Sequence, residues 1–92
     1  MKYEKCRKLL TERQTSLRCR EVLKVLKDLG FKVKDASGGG HKLYRHPAIH
    51  DFFGSNFNCG HNSGDVIKAN YIKSMLNVIE QYETEIKEFL GE

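Results

Sequence analysis

The sequence predicts an α+β domain: a three-stranded antiparallel sheet with two long helices on one face and a short extra helix in front. Three observations lead to this class. Two segments, one near the front and one at the end, repeat apolar residues at helical spacing. Between them lie short stretches that alternate apolar and polar residues, the period of a half-buried strand. The chain has 92 residues, which is room for one domain and one modest core.

Residues 2–13 read as a short helix, because Tyr3, Cys6, Leu9 and Leu10 recur at helical spacing among charged residues. A polar connector, Thr11 to Ser16, leads to a second helix from about Arg18 to Leu29. Val22, Leu23, Leu26 and Leu29 form its apolar stripe, with Val25 at the flank. Gly30 stands where a helix C-terminal glycine belongs. Phe31 to Asp35 alternates as a first strand, and His41 to His46 as a second, joined in a hairpin by a turn at 37–40. On an extended chain Lys42, Tyr44 and His46 fall on one side, and His41, Leu43 and Arg45 on the other. Pro47 lacks an N–H and ends the second strand. Residues 48–56 read as a loop with Phe52 and Phe53 tucked against the body, and Phe57 to His61 as a short third strand. The last segment is the strongest helix: Ile72, Met75, Leu76, Ile79, Tyr82, Ile86 and Phe89 share one face, with Asn70 as N-cap. Packing both long helices on one sheet face brings Leu23, Leu26, Phe31, Leu43, Leu76 and Ile79 into one core. This α–β–β–β–α core over residues 16–90 has the element order of double-stranded-RNA-binding domains, which read RNA by shape and by phosphate and 2′-hydroxyl contacts.

Composition narrows the function. Charged residues outweigh what a membrane chain carries, and no apolar run approaches the ~20 residues of a membrane span. The N-terminus has no apolar signal region, so the expectation is a soluble protein of the cytoplasm. Cys6, Cys19 and Cys59 are odd in number and widely spaced, and are expected as reduced thiols. Charge is uneven: residues 1–45 carry 13 Lys and Arg against 5 Asp and Glu, whereas residues 46–92 carry 3 against 7. A basic front half points to a polyanion such as nucleic acid. A solvated basic surface, or one neutralised by the acidic C-terminal segment, is the simpler alternative.

The chemistry-bearing residues are few. His41, His46, His50, His61 and Cys59 offer ligand-type side chains, but no Cys-x-x-Cys or His-Glu-x-x-His spacing is present. No metal site and no cofactor is expected. The triple glycine at 38–40 lacks the Gly-Lys-Ser/Thr of a nucleotide-binding loop. Gly38, Gly39 and Gly40 instead form a turn that hands over to His41, beside Lys34, Lys42 and Arg45. An imidazole titrates near neutral pH and serves as acid or base. Cations beside it stabilise charge developing on a phosphate, so this group suits metal-free RNA cleavage at the 2′-hydroxyl. Lys34, Lys42, Arg45, Lys68 and Lys73 are the expected phosphate contacts, since they flank the histidine or start the last helix.

Over residues 16–82 the chain resembles the HicA-type toxins, the mRNA-interferase partners of HicB antitoxins. Ser16-Leu17-Arg18, then Val22 to Leu26, then Leu29-Gly30-Phe31 resemble the family's first core helix and its Leu-Gly-Phe ending. Ser37 to Pro47 resembles its Gly-Ser-His segment and the strand ending His-Pro. Val66-Ile67-Lys68 and Ile72 to Leu76 resemble the approach to its last helix. The chain departs from the pattern at Gly40, where the family has serine, at Lys42, often a second histidine, and at Ala69, where a proline precedes the last helix. The resemblance implies a double-stranded-RNA-binding-like fold, a metal-independent endoribonuclease with His41 as the catalytic histidine, and an RNA substrate. It also implies a HicB-like antitoxin as protein partner. His46 matches the histidine before proline and reads first as strand-end structure, with a second acid or base as its other role. Alternatives from other classes are a non-catalytic RNA-binding module and a domain whose sheet meets only a partner protein.

Overall fold

A computed structural model describes residues 1–36 and 39–92. Ser37 and Gly38 of the expected turn lie outside the described residues. In chain order the elements are α1 (Lys2–Glu12), α2 (Cys19–Asp28), β1 (Lys32–Asp35), β2 (His41–Arg45), β3 (Ser55–Asn58), α3 (Ala69–Gln81) and α4 (Glu83–Leu90). The three strands form one antiparallel sheet in the order β1-β2-β3. The class is α+β with an open sheet, as the patterning predicts. Among the described residues there are four helices, and none is long and apolar enough to cross a membrane.

The α2 stripe turns inward: Val22, Val25, Leu26 and Leu29 are buried and Leu23 packs at the margin. Gly30 follows in the left-handed region at φ +92°, the conformation that ends a helix and that glycine adopts without cost. The first turn of α2 has free N–H groups that need acceptors. Cys19 N–H donates to Asp65 O at 2.9 Å and Arg20 N–H to Ser63 O at 3.0 Å. Glu21 supplements this cap, accepting from Arg18 N–H at 2.9 Å and from Arg13 at 2.6 Å. These two hydrogen bonds hold its carboxyl below the usual carboxylate range.

The final helix is split. The expected single helix breaks at Tyr82 (φ −109°, ψ 28°), and α3 starts at Ala69 with Lys68 at its cap, so Asn70 lies inside the first turn. The break redirects α4 across α1, where Lys87 reaches Glu4 at 3.6 Å. Tyr3 of α1 is fully buried and its hydroxyl donates to Ile79 O at 2.7 Å. Burial, with Glu83, Glu80 and Glu4 nearby, pushes this phenol up to about 12.

One core joins helices and sheet. Leu26, Phe31, Leu76 and Ile79 are buried in it as expected, together with Tyr44 and Phe57 from the sheet. Leu43 is not: it is exposed. Strand alternation decides this, because Tyr44 takes the inward position and sends its neighbours outward. β3 also begins and ends earlier than expected, at Ser55 and Asn58, with Phe57 as its inward residue. The cysteine expectation is corrected as well. Cys19 and Cys59 form a disulfide, leaving Cys6 as a buried free thiol. Forty residues separate the pair in sequence, and only the meeting of the start of α2 with the end of β3 brings them together.

Candidate functional site

The pairing register sorts the sheet into two faces. Val33, Tyr44 and Ser55 lie opposite one another on the core face, as do Asp35, Lys42 and Phe57. The intervening positions form the other face: Lys32 opposite Arg45, Lys34 opposite Leu43, Leu43 opposite Asn56, and His41 opposite Asn58. Lys32, Lys34, Leu43, Arg45, Asn56 and Asn58 are exposed and His41 is half-buried, so no helix covers this face. It carries three cations, one imidazole and two amides, and no carboxylate. Lys32, Lys34 and Arg45 have no ion-pair partner among the described residues.

His41 is anchored by its backbone. Its carbonyl accepts from Ala36 N–H at 3.0 Å across the hairpin. The residue before it is clamped more tightly still. Cys59 N–H donates to Gly40 O at 2.8 Å, and a Cβ on Gly40 would lie 2.0 Å from Gly60 O. A serine cannot occupy position 40 in this backbone, which accounts physically for the glycine there. The Cys19–Cys59 disulfide ties that same segment to α2. Asp65 adds to the clamp, accepting from His61 N–H at 2.8 Å.

The expected phosphate residues separate into two groups. Lys34 and Arg45 share the open face with His41, and Lys32 joins them, a residue that the spacing around His41 did not single out. Lys42 points to the other face and pairs with Asp35, its cross-strand neighbour. Lys68 and Lys73 are exposed at the start of α3, in the helical layer on the core side of the sheet. The structure therefore does not bring Lys42, Lys68 or Lys73 to the histidine. Of the turn glycines, Gly39 is exposed with φ +55°, and Gly38 falls outside the described residues.

His46 serves the fold. It is buried, with Nδ1 accepting from Ala48 N–H at 3.1 Å and Nε2 placed 2.9 Å from Leu29 O. The carbonyl requires a donor, so Nε2 carries the hydrogen. Phe31 and Phe89 stand edge-on to the ring, each with centroids 4.8 Å away. Both nitrogens are engaged, and His46 is not free to act as a second acid or base. Cys59 is spent in the disulfide, and no three His, Cys, Asp or Glu side chains gather as metal ligands among the described residues.

The loop after β2 adds a wall to the open face. Pro47, Ile49, His50, Phe53 and Gly54 rise beside Lys32, Lys34, Leu43, Arg45 and Asn56 and line an open groove of about 870 Å³. Phe52 closes its base, partly buried against Phe31, Tyr44 and Tyr82 at centroid distances of 6.3, 6.0 and 5.7 Å. Phe53 is the opposite of the expected tucked residue: it is 93% exposed. Charge spacing alone does not find this groove, because its wall comes from a loop without periodicity. No protein-family model, no curated protein and no solved structure matches the chain.

Proposed function

We propose that this protein is a metal-independent endoribonuclease of the HicA-like toxin kind, an mRNA interferase built on a double-stranded-RNA-binding-like fold. The observation that carries the proposal is the open sheet face, where His41 shares one surface with Lys32, Lys34 and Arg45 and no acid. RNA cleavage at the 2′-hydroxyl needs a group that takes a proton from the nucleophile, and cations for the charge that builds on the phosphate. In this reading His41 exchanges the proton, while Arg45 and Lys34 hold the phosphates that flank the reacting one. The sequence resemblance supplies the rest of the proposal. A small HicB-like antitoxin, acidic where it meets this face, covers His41 and blocks RNA, and the pair works in the cytoplasm.

One observation favours a second reading. With His46 committed to the fold, the strands of the open face present a single acid–base group, His41, which suits an RNA-binding module without chemistry. Cleavage of a labelled mRNA by the wild type and His41→Ala separates the two. A positioned acid–base group contributes about 10²–10⁴ in rate, so the variant is expected to lose cleavage by that factor while keeping its fold and most of its RNA affinity. Undiminished cleavage by folded His41→Ala removes His41 from the mechanism, and binding without cleavage by the wild type moves the reading to the second function.

A further inference from the structure

The groove beside the open face carries one feature that neither catalysis nor folding uses. Phe53, the most exposed large apolar side chain among the described residues, stands at 93% exposure on its wall. Its backbone is nevertheless held on both sides. Phe52 before it is wedged between Tyr44 and Tyr82. Gly54 after it runs against β2, where a Cβ would sit 3.2 Å from Tyr44 O. The ring is thus presented on a fixed support, and little order has to be gained when something packs on it. The residues that share the groove are basic or neutral: Lys32, Lys34, Arg45, His50 and Asn56, with no carboxylate among the lining side chains.

We propose that this groove binds a single-stranded RNA segment, with one base stacked on Phe53 and its phosphates held by Arg45, Lys32 and Lys34. The proposal rests on the reading of the chain as an RNA-acting protein and adds the strandedness of the substrate and the residue that seats it. An aromatic platform flanked by cations is the arrangement that takes unpaired bases, because every base has a π-face and the backbone is anionic. A duplex buries its base faces within its own stack and offers the ring nothing to pack against. Asn56, which lines the same groove, supplies an amide donor and acceptor for a base edge. His41 and Arg45 lie at opposite ends of β2, about 13 Å apart at ~3.3 Å per residue. The stacked base therefore belongs to a nucleotide flanking the cleaved bond and fixes where along the strand His41 acts.

The test uses 2′-O-methyl oligouridylate and oligoadenylate, which lack the nucleophilic hydroxyl and survive the measurement, with an RNA duplex as comparison. Stacking is worth about 1–3 kcal/mol per base by alanine substitution. Phe53→Ala is therefore expected to weaken single-strand binding by about 5- to 150-fold and to leave duplex binding little changed. The chain has no tryptophan, so Phe53→Trp introduces one reporter at the platform. It is expected to retain affinity and to lose fluorescence when either oligomer binds. Equal single-strand affinity in Phe53→Ala, or an unquenched Phe53→Trp, overturns the platform. If the wild type still cleaves RNA, that result leaves the ribonuclease reading intact. A wild type that binds neither single strand nor duplex overturns both readings. Loss of antitoxin capture in Phe53→Ala with RNA binding unchanged assigns the ring to a protein contact and also overturns the proposal.

Discussion

Gly40 shows how a single missing atom shapes the site. Its α-hydrogen faces the backbone of Gly60, and a methyl there would meet Gly60 O at 2.0 Å and Gly60 N at 2.7 Å. Both are fixed backbone atoms, and the Cys59 N–H to Gly40 O hydrogen bond holds them in place. The clash is relieved only by separating the two segments. Overpacking costs typically about 1–3 kcal/mol and occasionally more, and a contact this short to backbone belongs at the upper end, so Gly40→Ala is expected to lower the unfolding free energy by about 3 kcal/mol or more. The same change at Gly39 meets no atom within 4 Å and carries only the strain of its φ of +55°, about 1–2 kcal/mol. Chemical denaturation of the two variants measures the difference. In Gly40→Ala the displaced segment carries His41 with it, so cleavage is expected to fall further than stability alone explains. Equal stability of the Gly39 and Gly40 variants would contradict the close approach.

At the scale of elements, the Cys19–Cys59 disulfide, the carbonyls of Ser63 and Asp65 capping α2, and the Gly40–Gly60 contact form one unit that joins α2 to the start of β2. A cross-link over a loop of this length stabilises by roughly 2–4 kcal/mol, mainly by restricting the unfolded chain. Replacing both cysteines by serine is expected to lower stability by about that much, with the increase in amide exchange concentrated at 58–61 and around His41. No change in the denaturation midpoint would contradict it. Disulfides are rare in the cytosol, so the bond opposes the proposed location. Acid-quenched alkylation of the denatured chain, reading Cys19 and Cys59 as thiols or as a bonded pair in the cell, decides between them. The element pattern itself was legible in the sequence, because α2, β1 and β2 each carry their period in neighbouring residues. What was not legible depends on contacts distant in sequence. The break at Tyr82 follows from α4 packing on α1, and the end of β3 follows from Cys59 meeting Cys19. The outward turn of Leu43 was implicit in the alternation, since Tyr44 and Leu43 cannot both face the helices.

Over the whole molecule, ion pairs link charges on the helices, whereas Lys32, Lys34 and Arg45 of the open sheet face have none among the described residues. The acidic C-terminal segment answers part of the basic front half where Arg7 reaches Glu80 at 3.3 Å, while its own Lys87 reaches both Glu83 and Glu4. Exposed pairs of this kind contribute about 0–1 kcal/mol each, so their larger effect is on the field. They offset part of the charge on α1, α3 and α4, and none of them reaches Lys32, Lys34 or Arg45 on the sheet. The overall basic bias was therefore readable from the charge count, but where the unpaired cations of the sheet gather was not, because Lys42 sits beside His41 in sequence and on the opposite side of the sheet in space. This distinction gives a measurable pattern. Each phosphate contact on a single strand contributes about 0.7 to the slope of log affinity against log salt. Lys34→Ala and Arg45→Ala are each expected to reduce the magnitude of that slope by about this amount. Lys42→Ala is expected to leave it unchanged, since its charge is already paired with Asp35, and Lys68→Ala and Lys73→Ala act on the helical layer and are expected to do the same. Binding isotherms over a salt series for the five variants test the assignment. A slope that falls for Lys42→Ala, Lys68→Ala and Lys73→Ala but holds for Lys34→Ala and Arg45→Ala would move the RNA to the helical side of the sheet, away from His41.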